Sequence, residues 1–141
     1  MSSDLALAGN IPEILRIEQE ILKLPQLDPQ ITHYHIPGVY VRSMFIPAGT
    51  ILTGKIHNEA NIAILAQGRI RIANEKDAAI ISAPQVFVDE PGIKRLGFAE
   101  TDVTFITVHR TENTEIEDIE KELVSSTFEE YEKLMLTEDK L

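Results

Sequence analysis

Residues 49–68 read GTILTGKIHNEANIAILAQG and carry most of the information in this chain. A glycine opens the stretch, His57 follows eight residues later, and an apolar run ends at Gly68. Short runs rich in Ile and Thr that are separated by glycines are typical of β-strands joined by tight turns. The stretch therefore predicts short strands with one histidine and several polar neighbours between them.

The same pattern continues on both sides of this stretch, from Ile31 to Arg110. Short runs rich in Ile, Val, Phe and Thr alternate with glycine and proline, and residues 69–74 and 102–109 alternate polar with apolar side chains. Such alternation indicates half-exposed strands, and many short strands without intervening helices favour a sandwich or barrel. We expect four residues in the middle of these runs to be largely buried: Phe45, Ile64, Val88 and Phe105.

Helices are predicted at both ends of the chain. Asn10 is a candidate N-cap with Glu13 three residues later, and apolar residues at helical spacing follow, which predicts a helix near 11–24. Two further helices are predicted after the strands. Their apolar positions are Ile116, Ile119, Leu123 and Val124 for the first, and Phe128, Tyr131, Leu134 and Met135 for the second. The predicted organisation is an N-terminal helical extension (1–30), a β-barrel (31–111) and an acidic C-terminal helical extension (112–141).

Composition and charge restrict the functional classes. The 141 residues fit one domain, and 43% of them are hydrophobic. There is no cysteine, which excludes disulfides, thiolate nucleophiles and cysteine-based metal sites. The net charge of −10 lies at the ends of the chain, because residues 112–141 alone carry eleven acids and three bases. We therefore expect no nucleic-acid partner, since phosphates repel such a surface. No apolar run reaches the ~20 residues that span a bilayer, and we expect no membrane partner.

The stretch quoted above resembles the first motif of the cupin β-barrel, which in metal-binding members carries two His and one Glu. Counted back from Gly68, those positions are held here by Lys55, His57 and Asn61. The second motif of the family places a His shortly after a Pro-x-Gly, and anchoring it on Gly92 puts Arg95 at that position. The resemblance implies a cupin-like, double-stranded β-helix (jelly-roll) barrel, so the predicted fold class is mostly β.

This set of side chains predicts no metal and no cofactor. Lysine and arginine have no free lone pair at neutral pH, and one imidazole does not hold zinc or iron tightly. Lys55 and Arg95 instead suggest a site for a small anion, with two alternatives: a bound ligand, or an internal ion pair supplied by Glu59. The predicted ligand-binding residues are Lys55, His57, Glu59, Asn61 and Arg95.

The remaining histidines give weaker indications. His57 would serve as a general acid or base beside a substrate, or as a hydrogen-bonded structural residue. His109 ends an apolar strand and is interpreted as structural. His33 and His35 should lie on one face of a strand because side chains alternate with period two. We assign no catalytic residue.

Several segments together resemble, over about residues 39–130, small cupin-like proteins encoded by tailed bacteriophages. The segments are FIPAGT (45–50), TGKIH (53–57), AP (83–84), PGIKRLGFA (91–99), TVHRT (107–111) and the acidic IEDIEKEL (116–123). Proteins of this type are richer in His just after the position of His57, where this chain has Glu59 and Asn61. The resemblance implies a setting in the host cytoplasm or in the virion.

Three hypotheses about function follow. The first is a non-catalytic, homo-oligomeric phage-type protein that acts as a structural or binding component, with other phage structural proteins as partners. The second is a cupin that binds or converts a small anionic sugar-type or nucleotide-type ligand through Lys55, His57 and Arg95. The third, ranked last, is a metal-dependent cupin enzyme.

Overall fold

The computed structural model describes residues 16–20, 23, 30–74 and 77–137. Within these ranges the chain forms eleven short strands and two C-terminal helices, and residues 16–20 are helical. The strands are β1 (Gln30–Ile36), β2 (Val39–Ile46), β3 (Ile51–Thr53), β4 (Ile56–His57), β5 (Asn61–Gln67), β6 (Arg69–Ala73), β7 (Ala78–Ser82), β8 (Gln85–Asp89), β9 (Leu96–Ala99), β10 (Val103–Arg110) and β11 (Val124–Ser125). The helices are α1 (Ile116–Leu123) and α2 (Phe128–Thr137).

The strands form antiparallel sheets with the core between the two larger ones. The five-stranded sheet has the order β1-β2-β10-β5-β8, and the four-stranded sheet has the order β3-β9-β6-β7. A small two-stranded sheet pairs β11 with β4. The main core cluster joins both large sheets and consists of Ile46, Leu65, Ile70, Ala99 and Val103. This arrangement confirms the predicted mostly-β fold class with helices at the ends.

The phase of burial along the strands differs from the prediction at Val88 and at Ile64. Val88 was expected inside, but its side chain is 56% exposed. The neighbouring Asp89 is buried and Phe87 is half-buried, and strand side chains alternate, so Val88 has to point outward. The other three predicted core residues, Phe45, Ile64 and Phe105, are half-buried. Ile64 points outward as well, because its neighbours Ala63 and Leu65 are the buried residues of β5.

The turn between β5 and β6 depends on a glycine. Gly68 has a φ of 90°, a conformation that L side chains rarely adopt. A Cβ at this position would lie 2.1 Å from the Asp102 carbonyl oxygen. Gly49 has a similar φ of 86°, but a Cβ there would meet no atom within 4 Å. Of these two glycines, Gly68 is the one at which both conformation and close packing require glycine.

The N-terminal helical residues are anchored to the barrel by a buried lysine. Lys94 is 2% exposed, and its Nζ lies 3.0 Å from Glu18 Oε2 and donates to the Gly54 carbonyl at 2.9 Å. Ile17 packs against the cluster formed by Ala73 and Leu96. Of the helix predicted near 11–24, only residues 16–20 and 23 are described; the cap at Asn10 and the remainder lie outside the described residues.

The C-terminal segment folds back onto the barrel. Ile119 and Leu123 of α1 pack against Tyr40 of β2. Val124 was predicted to continue this helix, but it instead pairs with His57 as part of β11. Its strand conformation is stabilised by that pairing, which overrides the local helical pattern.

The connection between β4 and the C-terminal segment continues through Asn58. The Asn58 backbone N–H donates to the Leu123 carbonyl at 2.8 Å, and Ser125 Oγ donates to Asn58 Oδ1 at 2.7 Å. Asn58 is 2% exposed.

Among the described residues, no helix is both long and apolar enough to cross a membrane.

Candidate functional site

A cavity of about 730 Å³ lies inside the barrel. Its wall is largely apolar, with contributions from both large sheets: Met44, Ile46, Leu52, Ile70, Ile72, Leu96 and Phe105. Polar side chains line another part of the same cavity: Tyr40, Arg42, His57, Asp89, Arg95, Thr107, His109 and Glu120. A small ligand inside would therefore meet charged groups at one part of its surface and hydrocarbon elsewhere.

Three of the four histidines contact Tyr40, and the fourth contacts one of those three. His33 Nδ1 lies 2.7 Å from Tyr40 Oη, and the His35 ring centroid is 5.2 Å from that of Tyr40. The prediction that His33 and His35 share a strand face is confirmed by these contacts. The ring of His109 stacks on that of Tyr40 with the two centroids 5.7 Å apart. The ring of His57 meets the edge of the His109 ring at a centroid separation of 6.0 Å.

Arg95 is neutralised by a buried carboxylate. Its guanidinium forms an ion pair with Asp89, whose side chain is 4% exposed, and its Cζ lies 4.9 Å from the centroid of the Phe87 ring. Asn61 Nδ2 donates to the other carboxylate oxygen of Asp89 at 3.4 Å. The internal ion pair raised as an alternative from the sequence is thus present, but its acid is Asp89 and not Glu59.

The buried position of these groups changes their pKa values. Burial lowers the pKa of Arg95 to about 10, so the guanidinium remains a cation at neutral pH. Burial, and then the charge of Arg95, lowers the pKa of His57 below its usual range. Burial, then His57 and Arg42, lowers the pKa of His109 to about 4. Both imidazoles are therefore neutral at pH 7 and act as hydrogen-bonding groups rather than as cations.

Arg42 is the second guanidinium of the cavity. It follows Tyr40 and precedes Met44 on the inward face of β2, and its register partner on β10 is Thr107. Thr107 Oγ1 in turn lies 2.8 Å from His109 Nε2. Arg42 makes no ion pair with any of the residues that the structure describes. Its charge is thus available to a ligand in the cavity.

The predicted site residues occupy different places. His57 and Arg95 line the cavity, and Lys55 contributes from an exposed position at its edge. Asn61 is buried and bonded to Asp89. Glu59 is half-buried in the loop between β4 and β5, outside the cavity lining.

Sequence reasoning missed Arg42, Thr107 and Tyr40, and it interpreted His109 as a purely structural residue. Polar residues at alternate positions of two otherwise apolar strands were the indication that would have found them. In β2 the inward face reads Tyr40, Arg42, and in β10 it reads Thr107, His109.

The residues present do not suit a metal ion. Two imidazoles, His57 and His109, face the cavity, but the other motif positions hold an ammonium, an amide bonded to Asp89, and a guanidinium. Arg95 already occupies the buried carboxylate of Asp89. Tight metal sites need three or four N, O or S donors. Within the described ranges no group of three His, Asp or Glu side chains has the geometry to hold an ion.

Comparison with known proteins identifies the architecture. No family model and no curated protein matches the sequence. Among solved structures, an RmlC-like cupin from Methanocaldococcus jannaschii with a double-stranded β-helix fold superposes with a TM-score of 0.51 at 11% identity. The match covers 60% of this chain and 82% of that protein.

Two further structures agree. An uncharacterized protein with a double-stranded β-helix domain from Klebsiella pneumoniae gives a TM-score of 0.53 at 12% identity, covering 65% of this chain and 85% of that one. Salicylate 1,2-dioxygenase from Pseudoaminobacter salicylatoxidans gives a TM-score of 0.56 at 12% identity. The match covers 78% of this chain and 32% of the dioxygenase. At these identities the likeness concerns the fold alone. The chain has the cupin jelly-roll fold, the double-stranded β-helix of these neighbours.

Proposed function

We propose that the protein binds a small organic anion, a carboxylate with an apolar body, in the barrel cavity, and that Arg42 is the group that receives the carboxylate. The observation that carries this proposal is the difference between the two guanidiniums. Arg95 has its counter-ion in Asp89, whereas Arg42 faces the same cavity with no ion pair among the described residues. A partly desolvated cation without a counter-ion is costly, and an anionic ligand removes that cost.

The rest of the cavity supports the apolar body of such a ligand. Its volume of about 730 Å³ lies within the ~300–1,000 Å³ of ordinary small-molecule sites. Neutral imidazoles at His57 and His109 and the Thr107 hydroxyl supply hydrogen bonds beside Arg42 without adding charge. Lys55 at the edge attracts anions toward the opening. This site refines the sugar-type or nucleotide-type ligand considered from the sequence toward a more apolar one.

The test is a matched-pair binding experiment on the whole chain. Octanoate and benzoate are compared with octanamide and benzamide by calorimetry and by the shift in melting temperature. We expect the carboxylates to bind and the amides to bind at least tenfold more weakly. Arg42→Met should weaken carboxylate binding at least tenfold.

Arg69→Met is the matched control, because Arg69 is an exposed arginine outside the cavity lining. It should leave carboxylate binding unchanged. Equal binding of acids and amides, no binding of any of the four, or full binding by Arg42→Met would each contradict the proposal.

A second candidate is the non-catalytic, oligomeric phage role that the sequence resemblance implies, as a component of the particle or a product of infection. The specific observation in its favour is a broad set of exposed apolar side chains on one sheet, including Ile62, Val86 and Val88. Such surfaces suit a protein that assembles. Mass spectrometry of purified particles tests this role: detection of the chain at a defined copy number supports it. Absence from particles and from infected cells would contradict it.

A further inference from the structure

The outward face of the five-stranded sheet is apolar across its full width. One row of register partners crosses all five strands: Tyr34, Val41, Val108, Ile62 and Val88. Tyr34 is 57% exposed, Ile62 40% and Val88 56%. The inward neighbours of this row, such as Tyr40 and His109, are buried, so the row lies on the side of the sheet opposite the cavity.

The adjoining row continues the same face. It holds Ile106, Ile64 and Val86, with Thr32 and Ser43 at the β1 end. Neither row contains a charged side chain. Contiguous exposed apolar faces of this kind mark sites of association in soluble proteins.

The dimensions of the face approach those of a protein interface. Five strands at ~4.8 Å spacing span roughly 24 Å, and two apolar rows with one border row on each side span roughly 27 Å. The resulting flat area of roughly 650 Å² is close to the ~800 Å² that each partner contributes to a standard interface. The border rows bring in polar side chains, with Arg110 on one side and Thr104 and Gln30 on the other, beside the apolar Ile36, Val39 and Phe45. An apolar centre with a polar rim is the usual anatomy of an interface.

The lack of charged side chains in the two rows favours a second copy of the chain as the partner. Each chain carries −10, so two copies repel each other over much of their surface, and the uncharged rows are where they approach without burying acids. A sheet face can also meet its own copy across a twofold axis, since two sheets stack ~10 Å apart with strands within ~30° of each other. We propose that this face is a homodimer interface in which two copies stack their five-stranded sheets. The proposal is independent of ligand binding, because the cavity lies on the other side of the sheet.

Light scattering after size-exclusion chromatography at micromolar concentration tests the proposal. The wild-type chain should have twice the 15.8 kDa mass of one copy. Val88→Lys and Ile62→Lys, both in the first row, should each give a monomer. Ile80→Lys is the matched control, because Ile80 is equally apolar and 58% exposed but lies in β7 of the other sheet. It should leave the dimer intact.

Circular dichroism tests whether each variant is folded. If Val88→Lys or Ile62→Lys does not fold, Val86→Lys in the adjoining row takes its place. A wild-type mass of one chain at all concentrations would overturn the proposal, since the face would then be covered by another segment of the same chain or by a different protein. A dimer that persists in the folded face variants would overturn it as well.

Discussion

The ion pair between Arg95 and Asp89 places two charges inside the barrel, and the carboxylate is almost fully buried. Breaking a buried pair by removing one partner leaves the other charge uncompensated, at a typical cost of ~3–5 kcal/mol. We expect Asp89→Asn to lower the free energy of unfolding by about this amount. Urea unfolding of Asp89→Asn, Arg95→Met and the double variant measures the coupling. The double variant should be more stable than the sum of the single effects predicts, and strict additivity would show that the two groups do not interact.

The pKa of His109 makes stability depend on pH. Its folded value of about 4 lies below the ordinary value of 6.5 that applies to the unfolded chain. Between these values the unfolded chain binds more protons, so stability falls as the pH drops from about 6.5 to about 4 and the contribution is constant outside that window. The loss attributable to His109 is roughly 3 kcal/mol. Urea unfolding across this range should show a shallower pH dependence for His109→Gln. Identical pH profiles would contradict the assignment.

How much of the site is readable from the sequence depends on the kind of contact. Spacing along the family motifs was enough to select His57 and Arg95, both of which line the cavity. Arg42 was missed, although the alternation of polar and apolar side chains within β2 would have pointed to it. The partner of Arg95 was not readable, because the sequence offers more than one acid for it, including Glu59 and Asp89. Only the pairing of β5 with β8 brings Asn61 and Asp89 together inside the barrel.

The existence of the strands was predictable from local sequence, whereas the orientation of their side chains depends on tertiary contacts. Short β-forming runs and glycine-containing turns predicted the elements correctly because these are local properties. The sequence did not predict which side chains of β8 point inward. Val86, Phe87 and Val88 are all apolar, so this strand shows no alternation of polar and apolar residues that would separate its two faces. The buried Asp89 sets the phase through a contact with Arg95, which is a tertiary property.

The β5–β6 turn gives a prediction about an element of the fold. Gly68→Ala should cost more than Gly49→Ala, although both glycines have a positive φ. Conformation alone accounts for ~1–2 kcal/mol at each position. At Gly68 the added methyl group also meets the Asp102 carbonyl, so the total should exceed that value clearly. Chemical denaturation of the two variants measures the difference. Equal losses would show that the turn adjusts without strain.

The charge of the whole molecule governs how the proposed dimer should respond to salt. Two copies that each carry −10 repel each other, and added salt shortens the screening length from ~10 Å at 0.1 M to ~3 Å at 1 M. The apolar interface itself has no ion pairs to lose. We therefore expect the dimer dissociation constant to fall as NaCl rises from 0.05 to 1 M (roughly the range over which screening changes most). Analytical ultracentrifugation measures it. Weaker association at high salt would indicate an interface held by opposite charges instead.

The pairing of β11 with β4 ties the C-terminal helices to the strand that carries His57. The Asn58 amide, bonded to the Leu123 carbonyl, exchanges its proton with solvent only when α1 and β11 open. Hydrogen–deuterium exchange at Asn58 therefore reports on undocking of the C-terminal segment, and a ligand in the cavity should slow that exchange by holding His57 in place. The C-terminal segment thus supports the wall of the proposed binding site that carries His57. A truncation before Val124 should alter the affinity of that site although residues 31–111 stay intact.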